Sequence, residues 1–177
     1  MRWTPMTLLI VAALALVPAG GASAGGIGIF DLTGFHTGVD TSDPEGGKGT
    51  WLDQGVGLEV WIGGRESRIS GRVRVFYNLV HPAEAHARHF GLALFGFEVQ
   101  LLKDLSKPFG LHAFADLGPA FLAAQHGEFG IADLGIGLHG DLAKHLQVVV
   151  EVGGQVRFRR KVHGGAVLMA GLRFPID

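Results

Sequence analysis

The stretch Leu146–Phe174 alternates between apolar and polar positions with a period of two. Even positions from Leu146 to Phe158 are apolar or glycine, and the odd positions between them are mostly polar or glycine. After the basic residues 159–161 the alternation resumes from Val162 to Phe174. Because successive side chains of a strand point to opposite faces, the pattern predicts a β-hairpin with one apolar and one polar face. Both strands reach the roughly 9–11 residues that a tilted membrane-spanning strand requires.

The same alternation recurs six times earlier in the chain. Apolar residues alternate with polar residues or glycine in the segments 27–36, 52–62, 69–77, 92–101, 109–118 and 132–141. The first segment, Ile27–His36, is the weakest, and its pattern does not orient its two faces. Together with the hairpin, these segments predict eight strands and no helix after residue 24.

The predicted connections alternate in length. Long polar segments, Thr37–Thr50 and Asn78–Arg88, and the somewhat shorter 122–128, alternate with the short turns 63–66, 104–107 and 142–145. Long outer loops and short periplasmic turns are typical of up-and-down outer-membrane barrels with both termini in the periplasm. The last connection, 159–161, is as short as the turns and departs from this pattern.

The N-terminus has the composition of a secretory signal peptide. Arg2 precedes the apolar core Met6–Val17, and the small residues Ala22, Ser23 and Ala24 follow. The core is shorter than the roughly 20 residues of a membrane-spanning helix, so we predict a signal peptide at 1–24 and one barrel domain at 25–177.

Composition removes several other classes of protein. The chain has no cysteine, which excludes a disulfide framework and a thiolate metal site. A net charge of −1 gives no indication of a nucleic-acid partner. A hydrophobic fraction of 47% excludes a disordered chain, and 29 glycines in 177 residues is far above the usual share.

Charge placement indicates which strand face points inward. The five lysines all lie in predicted turns or loops, whereas the polar strand faces carry arginine, carboxylates and glycine. Paired charges among glycines suit the narrow interior of a small barrel. We therefore predict an all-β, eight-stranded antiparallel up-and-down transmembrane β-barrel. A soluble barrel, with its polar face in water, is the alternative. The predicted lumen ion-pair network comprises Glu59, Arg72, Arg74, Glu98, Asp116, Asp133, Asp141, Glu151, Arg157 and Arg173.

The segments GLALFGFEVQLLKDLSKPFGLHAFADLGPAF, GLHGDLAKHLQVVVEVGG and AGLRF repeat a strand, short turn and new apolar strand. In this repeated pattern the chain resembles the OmpA/OmpX-type eight-stranded outer-membrane barrels over Gly25–Asp177. The resemblance implies the outer membrane of a Gram-negative bacterium, contact with its lipid and lipopolysaccharide, and a closing strand whose aromatic end, Phe174, is read by the barrel-assembly machinery. Pro175, Ile176 and Asp177 follow Phe174, which departs from the family. We expect a monomer.

We predict no catalytic residue, cofactor or metal ion. Ser70 with His112 or His139 is the one set that a lipid A-modifying enzyme could use. The segment 81–89 contains three histidines that could bind zinc, but a solvated loop is the better-supported interpretation of this segment. A basic cluster could contact lipopolysaccharide phosphates at the outer rim, with ordinary rim arginines as the competing interpretation; it comprises Arg157, Arg159, Arg160 and Lys161.

These observations predict a non-catalytic outer-membrane protein. Its role would be structural or adhesive and would act through the loops Thr37–Thr50 and Asn78–Arg88, because side chains normally fill a barrel of eight strands. A narrow pore, a lipid A-modifying enzyme and a soluble periplasmic lipid-binding barrel remain as alternatives.

Overall fold

Eight antiparallel strands form a closed barrel. The computed structural model describes residues 25–39, 48–63, 67–82, 88–102, 108–122, 129–158 and 162–176. The strands are β1 Gly25–Val39, β2 Lys48–Ile62, β3 Ile69–Pro82, β4 Arg88–Leu102, β5 Phe109–Leu122, β6 Phe129–Ala143, β7 Leu146–Phe158 and β8 Val162–Ile176. Each strand pairs with its sequence neighbours, and β1 pairs with β8. The predicted strand number, order and up-and-down topology are confirmed.

The first strand begins, and the last strand ends, at the same rim of the barrel. Gly25 lies opposite Ile62 of β2 and opposite Ile176 of β8. We call this rim the terminal end, and it also carries the connections 63–68, 103–108 and 144–145. The opposite rim, the loop end, carries the connections 40–47, 83–87, 123–128 and 159–161. The predicted signal peptide, residues 1–24, lies outside the described residues.

Seven strands are longer than the alternation predicted, at 14 or 15 residues each, whereas β7 has the predicted span Leu146–Phe158. Val39 pairs with Lys48, so both flanks of the predicted loop Thr37–Thr50 belong to β1 and β2. The predicted loop Asn78–Arg88 likewise narrows to 83–87. Polar rim residues broke the sequence pattern, but backbone pairing continues through them because it needs no apolar side chain. The difference in length between the loops and the turns is therefore smaller than predicted.

Every strand turns one row of side chains outward. Large apolar residues between 48% and 68% exposed stand on all eight strands, for example Ile29, Leu58, Ile69, Phe97, Leu117, Leu134, Val152 and Leu168. The structure also orients β1, which the sequence left open. Phe30 and Leu32 are buried inside the barrel, while Ile27, Ile29 and Phe35 face outward. Within the described residues no helix is long and apolar enough to cross a membrane.

Glycine allows the inner row to fit. Gly135 and Gly153 face each other across β6 and β7. A Cβ atom on Gly153 would stand 2.5 Å from the backbone oxygen of Leu134 and 3.1 Å from the ring of Phe114. Backbone and aromatic ring thus occupy the space that a side chain would need, which explains why glycine is frequent on the inward positions of this narrow barrel.

Candidate functional site

Three buried arginines organise the interior of the barrel. Arg72 and Arg74 are two residues apart on β3 and therefore share its inner face, and Arg173 reaches inward from β8. None of the three is more than 2% exposed. A buried guanidinium is tolerated only when carboxylates and hydrogen bonds surround it, so the partners of these arginines decide what the interior can do.

Arg72 joins two carboxylates on different strands. Its Nε and Nη2 atoms donate to the two carboxylate oxygens of Asp116 on β5, at 2.8 and 2.6 Å. Its Nη1 atom donates to Oε1 of Glu151 on β7 at 2.7 Å. The paired contact with Asp116 is the fork-to-fork geometry that gives an arginine–carboxylate pair both strength and direction.

Arg74 and Arg173 continue the network around the barrel. Arg74 donates to Glu59 on β2 at 2.5 Å and to Glu151 at 2.6 Å. Arg173 donates to Glu59 at 2.6 Å and to Glu98 on β4 at 2.8 Å. Glu59 and Glu151 each bridge two arginines, so one connected network ties together six of the eight strands. We call these residues the charged cluster: Glu59, Arg72, Arg74, Glu98, Asp116, Glu151 and Arg173.

A histidine completes the charged cluster on the side of β5. Three guanidinium groups face four carboxylates, which leaves one formal negative charge. Nε2 of His112 lies 2.8 Å from Oε1 of Glu151, and its Nδ1 lies 3.4 Å from Nδ1 of His139 on β6. The imidazole of His112 can therefore donate a hydrogen bond to the carboxylate that already bridges two arginines.

Aromatic rings cover the faces of the same arginines. The guanidinium carbon of Arg72 lies 4.5 Å from the ring centre of Phe114, and that of Arg74 lies 4.7 Å from the ring centre of Phe30. Arg173 stands 5.2 Å from the ring of Trp61. These distances are within the range of cation–π attraction, so a ring covers a face of each of the three guanidinium groups. Nη2 of Arg74 is the one guanidinium nitrogen of the described cluster that is buried without a hydrogen-bond partner.

Asp133 is buried beside the charged cluster without joining it. It is 2% exposed and lies directly opposite Asp116 in the pairing of β5 with β6. Its carboxylate oxygens make no close hydrogen bond among the described residues, and the polar side chain that interacts with them is Gln155, directly opposite on β7. Both oxygens of Asp116 are bound by Arg72, which leaves Asp133 outside the hydrogen-bonded network.

An apolar layer lies between the charged cluster and the loop end. On β3, Phe76 follows Arg74 toward the loop end, and on β4, Leu92 and Leu94 stand on the loop side of Glu98. These residues are buried in one cluster with others that we include in the apolar layer: Leu32, Phe76, Leu92, Leu94, Ile131 and Val167. No more than 1% of any of these side chains is exposed. The described interior is therefore filled by side chains.

The structure separates the predicted network residues into groups. Seven of the ten form the charged cluster, and Asp133 is buried next to it. Arg157 is buried toward the loop end, where its Nε donates to Gln155 at 2.8 Å. Asp141 is exposed at the end of β6 and accepts a hydrogen bond from Gln147 at 2.8 Å. The other basic residues proposed for lipopolysaccharide contact, Arg159, Arg160 and Lys161, lie outside the described residues.

Other candidate sites are differently placed. Ser70 is buried opposite Glu98, and among the described contacts it shares no hydrogen bond with His112 or His139. Side chains of the predicted zinc segment 81–89 lie outside the described set. Sequence reasoning missed the roles of His112, Phe30 and Trp61. The alternation already placed His112 and Trp61 on inward positions. Phe30 could be placed only after the two faces of β1 had been assigned, which the sequence pattern did not do.

One group in the cluster has the donor set of a metal site. Ligand atoms of Glu98, His112 and Glu151 lie within 4.8 Å of one another. Arg173 already donates to Glu98, and Arg72 and Arg74 already donate to Glu151. A divalent cation would stand beside guanidinium groups, which disfavours it electrostatically. The arrangement suits a closed, charge-paired interior better than metal chemistry.

Comparison with known proteins gives solved structures of low similarity. No family model and no curated protein matches the chain. Two crystal structures of Ail, the attachment invasion locus protein of Yersinia pestis, are similar to it, the second of them in complex with the heparin analogue sucrose octasulfate. Each is 14% identical and aligns over 87% of this chain and 99% of its own, with TM-scores of 0.29 and 0.30. A likeness at this level says nothing about a ligand or partner of this chain.

Proposed function

We propose that this protein is a non-catalytic barrel of a Gram-negative outer membrane, exported by the signal peptide 1–24. The observation that carries the proposal is that the barrel has apolar side chains outside and charged side chains inside, the reverse of a soluble protein. Large apolar side chains stand outward on all eight strands, and the charged cluster is buried inside. A soluble barrel places its apolar row inside, whereas a barrel in lipid requires the arrangement seen here.

The lumen favours a sealed barrel over a pore. The charged cluster occupies its centre, and the apolar layer lies on the loop side of that cluster. A continuous aqueous path would have to pass both. We therefore propose a structural or adhesive role that acts through the rim at the loop end. Lipid and lipopolysaccharide would surround the barrel, and the barrel-assembly machinery would insert it.

The alternatives fit the contacts less well. A soluble lipid-binding barrel needs an apolar cavity, and the described interior is instead filled by ion pairs and packed apolar side chains. A lipid A-modifying enzyme needs an activated nucleophile that reaches lipid. Ser70 is buried, and its described contacts do not join it to a histidine.

Cell fractionation tests the proposed location. A tagged full-length chain should pellet with outer membranes, remain there after a high-salt wash, and be released only by detergent. The signal-peptide cleavage site is read in the same experiment from the N-terminal residue of the purified protein, which should be Gly25. Mature protein that stays soluble after membranes are pelleted without detergent would contradict the proposal.

Planar bilayers test the sealed lumen. The refolded protein should give no sustained single-channel steps. Two substitutions form a matched pair. Leu94→Gly removes a side chain from the apolar layer, and Leu134→Gly removes an outward side chain that is 68% exposed. Only the first substitution can widen the lumen. Sustained steps from the unmodified protein would favour the narrow pore instead.

A further inference from the structure

A carboxylate stands in the apolar outer surface of β1. Asp31 is exposed on an outward position, the seventh of the fifteen residues of β1 counted from Gly25, and therefore near mid-strand. Its outward neighbours are Ile29 on the same strand, Val56 on β2 and Ala170 on β8. Among the described side chains on outward positions away from the strand ends, Asp31 is the only one that carries a charge.

Two further polar groups adjoin Asp31. Thr33 is the next outward residue on β1, and Gln54 lies directly opposite Thr33 on β2. We call Asp31, Thr33 and Gln54 the outer polar patch. The patch holds a carboxylate acceptor beside a hydroxyl and an amide that can donate hydrogen bonds. In hydrocarbon these groups have no water to bond, so leaving them open to lipid is unfavourable.

Small residues lie beside the patch on β8 and β7. On β8, Ala170 is opposite Asp31, and Leu168 is opposite Thr33. The next outward residue, Ala166, is opposite Gly154 on β7. A Cβ atom added to Gly154 would meet nothing closer than 4.0 Å, and one added to Gly164 would meet nothing within 4 Å. Packing inside this chain therefore does not require glycine at these outward positions. The outward row of β8 is therefore low on either side of Leu168, which is 48% exposed between Ala166 and Ala170. Small residues of this kind allow two backbones to approach closely in a membrane.

We infer that a second copy of this chain covers the outer polar patch, forming a twofold-symmetric dimer through the outer faces of β1, β2 and β8. This inference rests on the proposed membrane location. The argument for a second copy is complementarity. In a twofold contact each copy presents the same surface, so the Asp31 carboxylate of one copy can meet the Thr33 hydroxyl or Gln54 amide of the other. This contrasts with the monomer expected from the sequence, in which the two faces of β1 were not oriented.

Energy transfer between labelled copies in lipid vesicles tests the dimer. The chain has no cysteine, so Lys144→Cys in the turn between β6 and β7 provides a single labelling site remote from the patch. Donor- and acceptor-labelled protein should show transfer that persists on dilution with lipid. Asp31→Leu should weaken association roughly tenfold, the effect of losing one or two interchain hydrogen bonds in a membrane. Asp31→Asn keeps a hydrogen-bonding group and should retain most of the association.

Cross-linking maps the surface. Ala170→Cys lies directly opposite Asp31, and Ala115→Cys lies outward on β5, four strands from β1 in either direction. A short bis-maleimide should link copies through the first cysteine and not through the second. Equal cross-linking at both sites, or association unchanged by Asp31→Leu, would overturn the inference. So would a covalent adduct that forms only in whole membranes with a different protein.

Flotation of the vesicles separates two kinds of failure. Protein that floats with the vesicles but shows no energy transfer is a membrane barrel without a dimer, which overturns the inference and leaves the proposed function intact. Protein that does not float overturns both. Leu134→Ala trims an outward side chain on β6 and should leave energy transfer unchanged.

Discussion

The charged cluster and the apolar layer fill neighbouring parts of one lumen by different means. In the charged cluster, three arginines hold four carboxylates at hydrogen-bond distances of 2.5 to 2.8 Å. In the apolar layer, leucine, phenylalanine, isoleucine and valine pack without polar contacts. The charged part depends on every partner being present, because each unpaired ion would be left without solvent. The apolar part depends on volume. Single substitutions should therefore affect the two parts differently.

The largest expected effect is the loss of one central guanidinium. Arg74→Ala would leave Glu59 and Glu151 each without one arginine, so the free energy of unfolding should fall by about 3–5 kcal/mol. Urea titration of the refolded barrel in vesicles measures it. Arg68→Ala removes an exposed arginine next to β3 and should leave the unfolding midpoint unchanged. Equal losses for both variants would show that charge pairing in the lumen does not stabilise the barrel.

Removal of volume from the apolar layer should cost somewhat less. Leu94→Ala leaves a cavity, and we expect unfolding to become easier by about 2–4 kcal/mol. Leu94→Met keeps the volume and should change stability by less than about 1.5 kcal/mol. The same urea titration compares the two. If Leu94→Met were as harmful as Leu94→Ala, polarity or shape rather than volume would govern this layer.

Glycine should matter inside the barrel and not outside it. A Cβ atom on Gly135 would contact the backbone oxygen of Val152, which cannot move aside as a side chain can. Gly135→Ala should destabilise the barrel by about 1–3 kcal/mol. Gly164→Ala adds the same methyl group to an outward position with open space, and thermal unfolding in detergent should show no loss. Equal losses would mean that backbone freedom, not space, selects these glycines.

The smallest expected effect is that of Asp133, and its sign is opposite to the effect expected for the facing Asp116. Asp133→Asn removes one of the two facing carboxylates and supplies an amide that can donate to Asp116, so stability should rise by about 1 kcal/mol. Asp116→Asn removes the paired contact with Arg72 and should lower stability by about 1.5–3 kcal/mol. Unfolding of both variants at the same pH measures the difference. A loss in both would indicate that the carboxylate of Asp133 stabilises the barrel through its contact with Gln155.

The alternation alone was sufficient for the architecture. A period of two forces neighbouring side chains to opposite faces, so seven of the eight strands and their inward rows could be read directly from the chain. The same parity placed the members of the charged cluster on inward faces. It could not decide their partners, because partners depend on register between strands that are distant in sequence. Arg72 and Glu151, for example, are 79 residues apart.

Only the tertiary structure decided three features. It separated Asp141 and Arg157 from the charged cluster, because inward parity does not reveal how far along the barrel a side chain lies. It left Asp133 out as well, because Arg72 binds the facing Asp116 instead. It extended the strands into the predicted loops, because backbone hydrogen bonds need no apolar pattern. It also oriented β1 by pairing it with β2 and β8, which placed Asp31 outside. The alternation along one strand depends only on neighbouring residues, whereas closure of the barrel pairs strands from the two ends of the chain.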